Sequence, residues 1–448
     1  MKTTVKLFLR PGWKPVIGFD PIQHGSISDV GLRRSHNQDA QDMILAKSVE
    51  TWREQGHIFI VADGMGGHAV GEKASAKAVR EIPLNFLKHA STGVANALRR
   101  AFVETNASIH AIGQKNPEFK GLGTTATTLV LRPEGAWFAH VGDSRGYRIR
   151  KGEIQQLTFD HSLLWEMARR QNVEPEELHG LKSNIIIRSL GPDALVQVDI
   201  EGPHPVQPGD VFVICSDGLS GPVQDTEIGA VASMLPPEEA CRFLVQLANL
   251  RGGPDNITVQ IVRIGGAEGT EPAAKGGAFS SPLFGIHWSL PILAVGFILT
   301  ILAVMLAMDI QWVGKLFFAL AGLTIVTGMV GLILHYLAEK QRRENEPPPP
   351  NINIYRRATC AVDKPVVEKL AQSAEHLKER VKESVPSGIP DDYVKHYAQG
   401  QDWLRKNNLT EAFREFCRAM YVLAVAHNSQ HHKSEMFQPL FGKFVAEE

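Results

Sequence analysis

The sequence predicts a layered α+β domain, followed by a two-helix membrane hairpin and a small all-helical end region. Three observations predict this. Short runs of β-branched and aromatic residues recur through roughly the first 265 residues, as strands do. The helical stretches among them come as a consecutive pair, not one after each strand. Further on, two long stretches contain no Asp, Glu, Lys or Arg at all.

His57–Ala62, Thr124–Leu131, Trp137–Val141, Val211–Cys215 and Ile257–Ile264 read as strands. Ala69–Lys88 and Val94–Gln114 carry apolar residues at helical spacing. Residues 1–266 are therefore expected to form one domain. Its opening apolar run stops at Leu9, before Arg10 and Pro11, too early for a secretory signal, so the domain is expected in the cytoplasm. Residues 267–282, rich in Gly, Ala, Ser and Pro, read as a flexible tether.

Residues 283–338 hold the uncharged spans, at about 288–308 and 316–337. A 21-residue helix is about 32 Å long, matching a hydrocarbon core of about 30 Å. The plainer alternative is two buried helices of a soluble domain, but the spans are apolar on every face. Their short link forces an antiparallel hairpin. Lys340, Arg342 and Arg343 follow it at once, which puts both chain ends on the cytoplasmic side of the inner membrane. Residues 339–363, with prolines at 347–350, read as a basic, proline-rich linker. Residues 364–448 read as a helical tail: Lys364–Val385, then a pair, Asp391–Asn407 and Thr410–Val425. Gly400, Trp403, Ala412, Phe416 and Ala419 follow the spacing of one tetratricopeptide repeat, a candidate protein-binding surface. His396 and Gln399 break the pattern, so a generic helical hairpin is an equal alternative.

Composition narrows the function. The 448 residues carry 47 Lys and Arg against 48 Asp and Glu, which argues against nucleic acid as the main partner. With 44% hydrophobic residues the chain is not mainly disordered. Cys215, Cys241, Cys360 and Cys417 form no C-x-x-C pair, and none has the Arg six residues later that a cysteine-nucleophile phosphatase needs. G-L-G-T-T-A lacks the strand-before, helix-after context of a dinucleotide fingerprint, and G-G-H-A-V-G-E-K lacks the ending of a P-loop.

The chemistry lies in a recurring pattern. Four times a strand-like run abuts an Asp beside Gly, Ser or Asn: Asp63, Asp143, Asp217 and Asp255. One such Asp is usually just a turn residue. Four at strand ends of one sheet system would converge, and converging carboxylates repel unless cations compensate. Hard, oxygen-liganded Mg²⁺ or Mn²⁺ suits them, and no His/Cys cluster suggests zinc. Arg34 could grip a phosphate, although the sequence around it equally allows an ordinary surface arginine.

The ordered set G-L-R-R-S-H-N-Q-D-A, D-G-M-G-G-H-A-V-G-E, G-T-T-A-T, V-G-D-S-R-G, D-H-S, S-D-G-L-S and P-D-N-I-T-V resembles the metal-dependent Ser/Thr protein phosphatases, the PPM or type 2C family, in their bacterial form. The resemblance runs from about Gly25 to Gly266. It implies a β-sandwich flanked by helix pairs, with two Mn²⁺ or Mg²⁺ ions in a cleft at one end. By resemblance, Asp63 would bridge the two ions and the Gly64 carbonyl would bind the second. Asp217 and Asp255 would complete the first, and Asp143 with Asp217 would hold a third, weaker ion. Arg34 would bind the substrate phosphate, Asp39 would orient metal-bound water, and Asn256 would support the ligands from behind. Leu163–Ile187 falls where the family has its flap, which would govern access. The implied substrates are phospho-Ser/Thr proteins; the expected membrane hairpin and the short reach of its tether add a membrane-associated kinase or its targets.

Two positions depart from the family pattern. Gln38 stands where many members have Glu, so the second ion is expected to bind more weakly. Met65 replaces a His proposed elsewhere to protonate the leaving group. His68 and His161 lie near in sequence and read as structural. The expected function is a membrane-anchored phosphoprotein phosphatase. Its rival is an inactive pseudophosphatase that binds phosphoproteins at the membrane; a purely structural membrane protein would leave the acidic residues unexplained.

Overall fold

The computed structural model describes residues 22–66, 71–115, 117–119, 121–178, 180, 185–265, 353–384, 388–428 and 444–445, with a few positions between 324 and 333. Two antiparallel sheets stack face to face. The first contains β1 (Ile22–Asp29), β7 (Arg145–Arg150), β8 (Glu153–Gln156), β10 (Val211–Cys215), β11 (Ile257–Ile264) and β12 (Arg356–Thr359), in the order β1-β11-β10-β7-β8-β12. The second contains β2 (Asp39–Ile44), β3 (His57–Met65), β5 (Ala126–Arg132), β6 (Gly135–Val141) and β9 (Asp199–His204), in the order β2-β3-β5-β6-β9. A short β4 (Gly123–Thr124) pairs with the end of β3.

Period-2 alternation explains why the central strands read as continuous apolar runs. Phe59 and Val61 of β3 point into the sandwich, meeting Phe212 and Ile214 of β10 and Val262 and Ile264 of β11. Ile58, Ile60 and Ala62 point the other way, against α2 (Gly71–His89) and α3 (Val94–Lys115). Val211, Val213 and Cys215 of β10 likewise face the layer of α6 (Asp225–Met234) and α7 (Pro237–Leu250). Strands covered on both faces need apolar residues at every position. The architecture is the expected α+β sandwich between helix pairs.

The chain after residue 350 folds back onto this domain. One compact unit combines residues 1–268 with 351–448, and 269–350 forms a second unit. Within the expected linker, β12 adds a strand to the outer edge of β8, pairing Arg356 with Gln156 and Thr359 with Glu153. The R-R-A-T sequence of β12 is polar because an edge strand has one side in water. The expected tail is helical, and it packs against the sandwich's own helices. The helices Lys364–Ser384 and Leu409–Asn428 bury Leu370, Leu377, Phe413, Phe416 and Met420 in the same core as α6 and α7. Arg418 forks onto Glu239 of α7 at 2.7 and 3.1 Å, and Arg414 Nε donates to the Met234 carbonyl at 2.7 Å. Between Asp391–Arg405 and Leu409–Asn428, Gly400 gives Phe416 room for close contact. The two expected membrane spans lie almost wholly outside the described residues. Among the described residues no helix is long and apolar enough to cross a membrane.

Candidate active site

The strand ends bring the acidic residues together. Asp39 opens β2 directly opposite Asp63 near the end of β3. Asp143 follows β6, Asp217 starts the short helix α5 (Asp217–Ser220) after β10, and Asp255 precedes β11. They are close enough that the protonation of Asp39, Asp63, Asp143 and Asp217 responds to acidic neighbours. Burial first, then Asp39, Asp217, Asp143 and Asp255, hold the Asp63 carboxyl well above its ordinary range. Burial and the neighbouring Asp217 and Asp160 raise Asp143 in the same way. Asp217 is raised by burial and Asp255, although a hydrogen bond with Asp63 and the Arg34 charge pull it back. Asp39 is pushed up to about 7, chiefly by burial, despite the Ser216 hydroxyl donating to its Oδ2 at 2.7 Å.

The backbone around these side chains is closely fitted. Thr124 Oγ1 and Thr125 N donate to the Asp63 carbonyl at 2.9 and 2.8 Å, and Asp63 N donates to Thr125 Oγ1 at 2.9 Å. A Cβ on Gly64 would overlap the carbonyl oxygens of Gly71 and Gln38, which is why the Asp-Gly order is required there. At Gly218 a Cβ would fall on the Asn256 carbonyl oxygen. Asn256 is the clasp of the loop that carries Arg34. Its Oδ1 accepts from Gln38 N at 2.8 Å, and its Nδ2 donates to Val30 and His36 carbonyls at 2.9 and 3.0 Å. Gln38 in turn accepts through its carbonyl from Gly64 N and Ser75 Oγ. Arg34 Nη2 reaches Asp255 Oδ2 at 2.6 Å.

Sequence reasoning missed the residues that brace this cluster. Ser216 joins Asp39 to β11, because its hydroxyl also accepts from Thr258 N at 3.0 Å. His161 is structural, as expected, and holds Gly142: its Nδ1 accepts from Gly142 N at 3.0 Å and its Nε2 lies 3.0 Å from Asp199 Oδ2. Behind Asp143, Arg145 pairs with Asp160 at 2.8 Å and with Asp225 at 3.4 Å, and Tyr147 donates to Asp225 at 2.8 Å. Thr124, Thr125 and Ser216 were legible only as small polar neighbours of the acidic motifs. His68 lies outside the described residues.

The donor set fits hard divalent cations. Among the described residues, Oδ1 of Asp39, Asp143 and Asp217 are each buried without a hydrogen-bond partner. Burial first, and the neighbouring carboxylates after it, raise the proton affinity of Asp39, Asp63, Asp143 and Asp217, and a divalent cation would relieve both. Among the described residues no group of three or more His, Cys, Asp or Glu side chains is drawn close enough to hold a metal ion by itself.

Residues 33–250 match the protein phosphatase 2C family. A putative protein phosphatase 2C-type of Streptococcus pyogenes is 36% identical over 241 residues, spanning 52% of this chain and 94% of that protein. The chain belongs to the protein phosphatase 2C family. It is a Ser/Thr protein phosphatase, a metal-dependent hydrolase. Protein phosphatase PhpP of Streptococcus pneumoniae is also 36% identical, over 53% of this chain and 95% of its own. The solved serine/threonine phosphatase PstP/Ppp of Mycobacterium tuberculosis is 30% identical and covers 55% of this chain and 99% of its own, with a TM-score of 0.48. A PstP catalytic domain has been solved with two manganese ions; it is 30% identical over 55% of this chain and 99% of its own, with a TM-score of 0.45.

Proposed function

We propose that this phosphatase 2C is a membrane-anchored enzyme that removes phosphate from phospho-Ser and phospho-Thr proteins in the cytoplasm. The observation that carries the catalytic part is the convergence of Asp39, Asp63, Asp143, Asp217 and Asp255 beside Arg34. Asp63, Asp217, Asp255 and the Gly64 carbonyl would hold two Mn²⁺ or Mg²⁺ ions, and Asp143 with Asp217 a third. When bound, such ions activate water as a nucleophile and stabilise charge on the phosphoryl oxygens. Arg34, half-exposed, presents its guanidinium to the substrate phosphate. Asp39, held by Ser216, orients the attacking water through its second oxygen.

The membrane part rests on the uncharged spans and on the described positions of the second one. Val326, Met329, Val330 and Ile333 are all about half exposed, and their i, i+3, i+4, i+7 spacing lines them along one helix face. Such an apolar stripe calls for a nonaqueous cover, and a bilayer supplies one. The proposed location is the inner membrane, with both ends of the chain in the cytoplasm and membrane-associated kinases or their targets among the substrates.

Gln38 favours the second reading, a pseudophosphatase scaffold, because it removes a carboxylate at the second ion. Hydrolysis of a phosphopeptide by the full chain, with and without Mn²⁺, separates the two. The enzyme is expected to turn over with added metal and to stop in EDTA. Phosphopeptide binding without turnover at any metal concentration would establish the scaffold. Protease added outside spheroplasts should leave both end regions uncut; cleavage of either from that side would overturn the proposed orientation.

A further inference from the structure

The first residues described after the 269–350 unit enter the catalytic domain beside its flap. There β12 lies along β8, and Tyr355 N donates to the Gln156 carbonyl at 2.9 Å. The flap segment begins with α4 (Leu163–Gln171) and continues through a tight turn at Pro175–Glu177. Its base is closed by Leu163 N donating to the Ile185 carbonyl and Ile187 N to the His161 carbonyl.

Arg356 of β12 touches this segment at two points. Its guanidinium lies 2.8 Å from Glu176 in the turn and 5.8 Å from the ring centre of Trp165 in α4. Trp165 is also contacted by Arg145 at 5.5 Å, and Arg145 is two residues from Asp143. Arg356 and Arg145 share Asp225 as a further anionic neighbour, at 3.8 and 3.4 Å. Tyr355 reinforces the contact. Its ring centre is 5.5 Å from that of Phe159, which stands edge-on to Trp165 at 5.4 Å, and its hydroxyl donates to Glu201 at 2.7 Å. A short edge strand and the residue just before it thus supply a cation and an aromatic ring to the foot of the flap.

We propose that Arg356, seated by Tyr355, is a positioning residue for the flap, so that the chain segment following residues 269–350 sets access of protein substrates to the carboxylate cluster. The proposal rests on the reading of residues 163–187 as the flap. Arg356 touches no reacting atom. It acts by holding Glu176 and Trp165, and a small phosphomonoester that needs no flap contact is indifferent to it. A partly exposed ion pair and a cation–π contact are each modest, so the expected change is roughly 3–10-fold, not loss of activity.

The test compares Arg356→Ala, Arg356→Lys, Glu176→Gln and the Arg356→Ala/Glu176→Gln double variant, all in the full chain in detergent micelles. KM and kcat are measured for a phosphopeptide and for p-nitrophenyl phosphate. Arg356→Ala and Glu176→Gln should each raise phosphopeptide KM by roughly 3–10-fold, and the double variant by no more than the larger single effect. Arg356→Lys should recover part of the loss, and p-nitrophenyl phosphate kinetics should change by less than about 2-fold. Equal losses on both substrates, or additive single effects, would overturn the proposal. Should Arg356→Ala fail to fold, Glu176→Gln alone decides, since Glu176 is exposed and its only charged partner is Arg356 among the described contacts. Trp165→Phe is the control for the flap reading. If it shifts phosphopeptide KM while Glu176→Gln does not, the flap stands and the Arg356 proposal falls. If neither shifts it, the flap reading falls as well.

Discussion

Arg34 and Asp255 form an ion pair, with 2.6 Å between Nη2 and Oδ2, and half of the Arg34 side chain faces solvent. The residue proposed to grip phosphate is thus tied to a residue proposed to hold metal. On that proposal the guanidinium and a divalent cation would compete for the same carboxylate, and substrate binding and metal binding would be coupled through Asp255.

Arg34→Ala should therefore do two things. It should raise KM for phosphopeptides by roughly 10–100-fold, because a hydrogen bond to a charged group is worth about 1.5–3 kcal/mol. It should also move the Mn²⁺ titration midpoint to lower concentration, because Asp255 loses its competing cation. Steady-state kinetics at several Mn²⁺ concentrations check both. An unchanged KM would remove Arg34 from the phosphate site.

Asp63→Asn and Asp217→Asn should each abolish turnover yet stabilise the protein in EDTA. Both carboxyls are raised by burial and by their acidic neighbours. A raised folded-state pKa means that stability is lost as pH rises from the unfolded value, near 4, through the folded one. The gain in Tm should thus be clear near neutral pH and vanish below about pH 4. Calorimetry in EDTA at the two pH values measures it, and a lower Tm for both variants near neutral pH would contradict the repulsion.

His204 gives the opposite pH dependence. It is fully buried against Phe138, and neither ring nitrogen has a partner among the described residues. Burial, with help from Arg148, lowers its pKa to about 4. The unfolded chain takes up this proton near pH 6.5, so the stability tied to neutral His204 is complete above that pH and is lost as pH falls toward 4. His204→Leu should remove about 3 kcal/mol of acid sensitivity over that interval. Urea unfolding at pH 5 and pH 8 checks this, with the difference between the two smaller in the variant than in the parent.

The sandwich was legible where strands are covered on both faces. β3, β10 and β11 need apolar residues at every position, and their sequences show it. β7, written R-G-Y-R-I-R, and β9, written D-I-E-G-P-H, are short and carry polar residues that hydrogen-bond within the fold, so local pattern does not distinguish them from loops. The acidic residues were legible because each follows or precedes a strand beside a small residue. Their partners were not. Asp39 meets Ser216 across 177 positions of sequence, and no local pattern encodes that distance. β12 was hidden for the same reason: its four residues gain strand character only from β8.

The core shared with the tail predicts how the chain can be cut. Removing 283–338 while keeping 351–448 should leave a folded, active phosphatase, because both parts of its compact unit remain. A chain ending at residue 266 should aggregate or melt at least several degrees lower. It bares the face of α6 and α7 that Phe413, Phe416 and Met420 cover, and it lacks Cys360 and Val367, which are buried in the same core. Thermal unfolding of the two proteins side by side tests this; equal Tm values would mean the tail contributes no stability.

The late arrival of β12 also has a cost in time. β8 is made early, but its outer edge is closed only when Arg356–Thr359 emerge, about 200 residues later. At about 5–20 residues per second, synthesis leaves that interval at roughly 10–40 s. Through all of it the edge of β8 offers unpaired backbone groups to any strand that comes near. The newborn protein therefore passes through a vulnerable window that its finished form does not have, and its yield in a cell is set in part by how well that edge is shielded during those seconds.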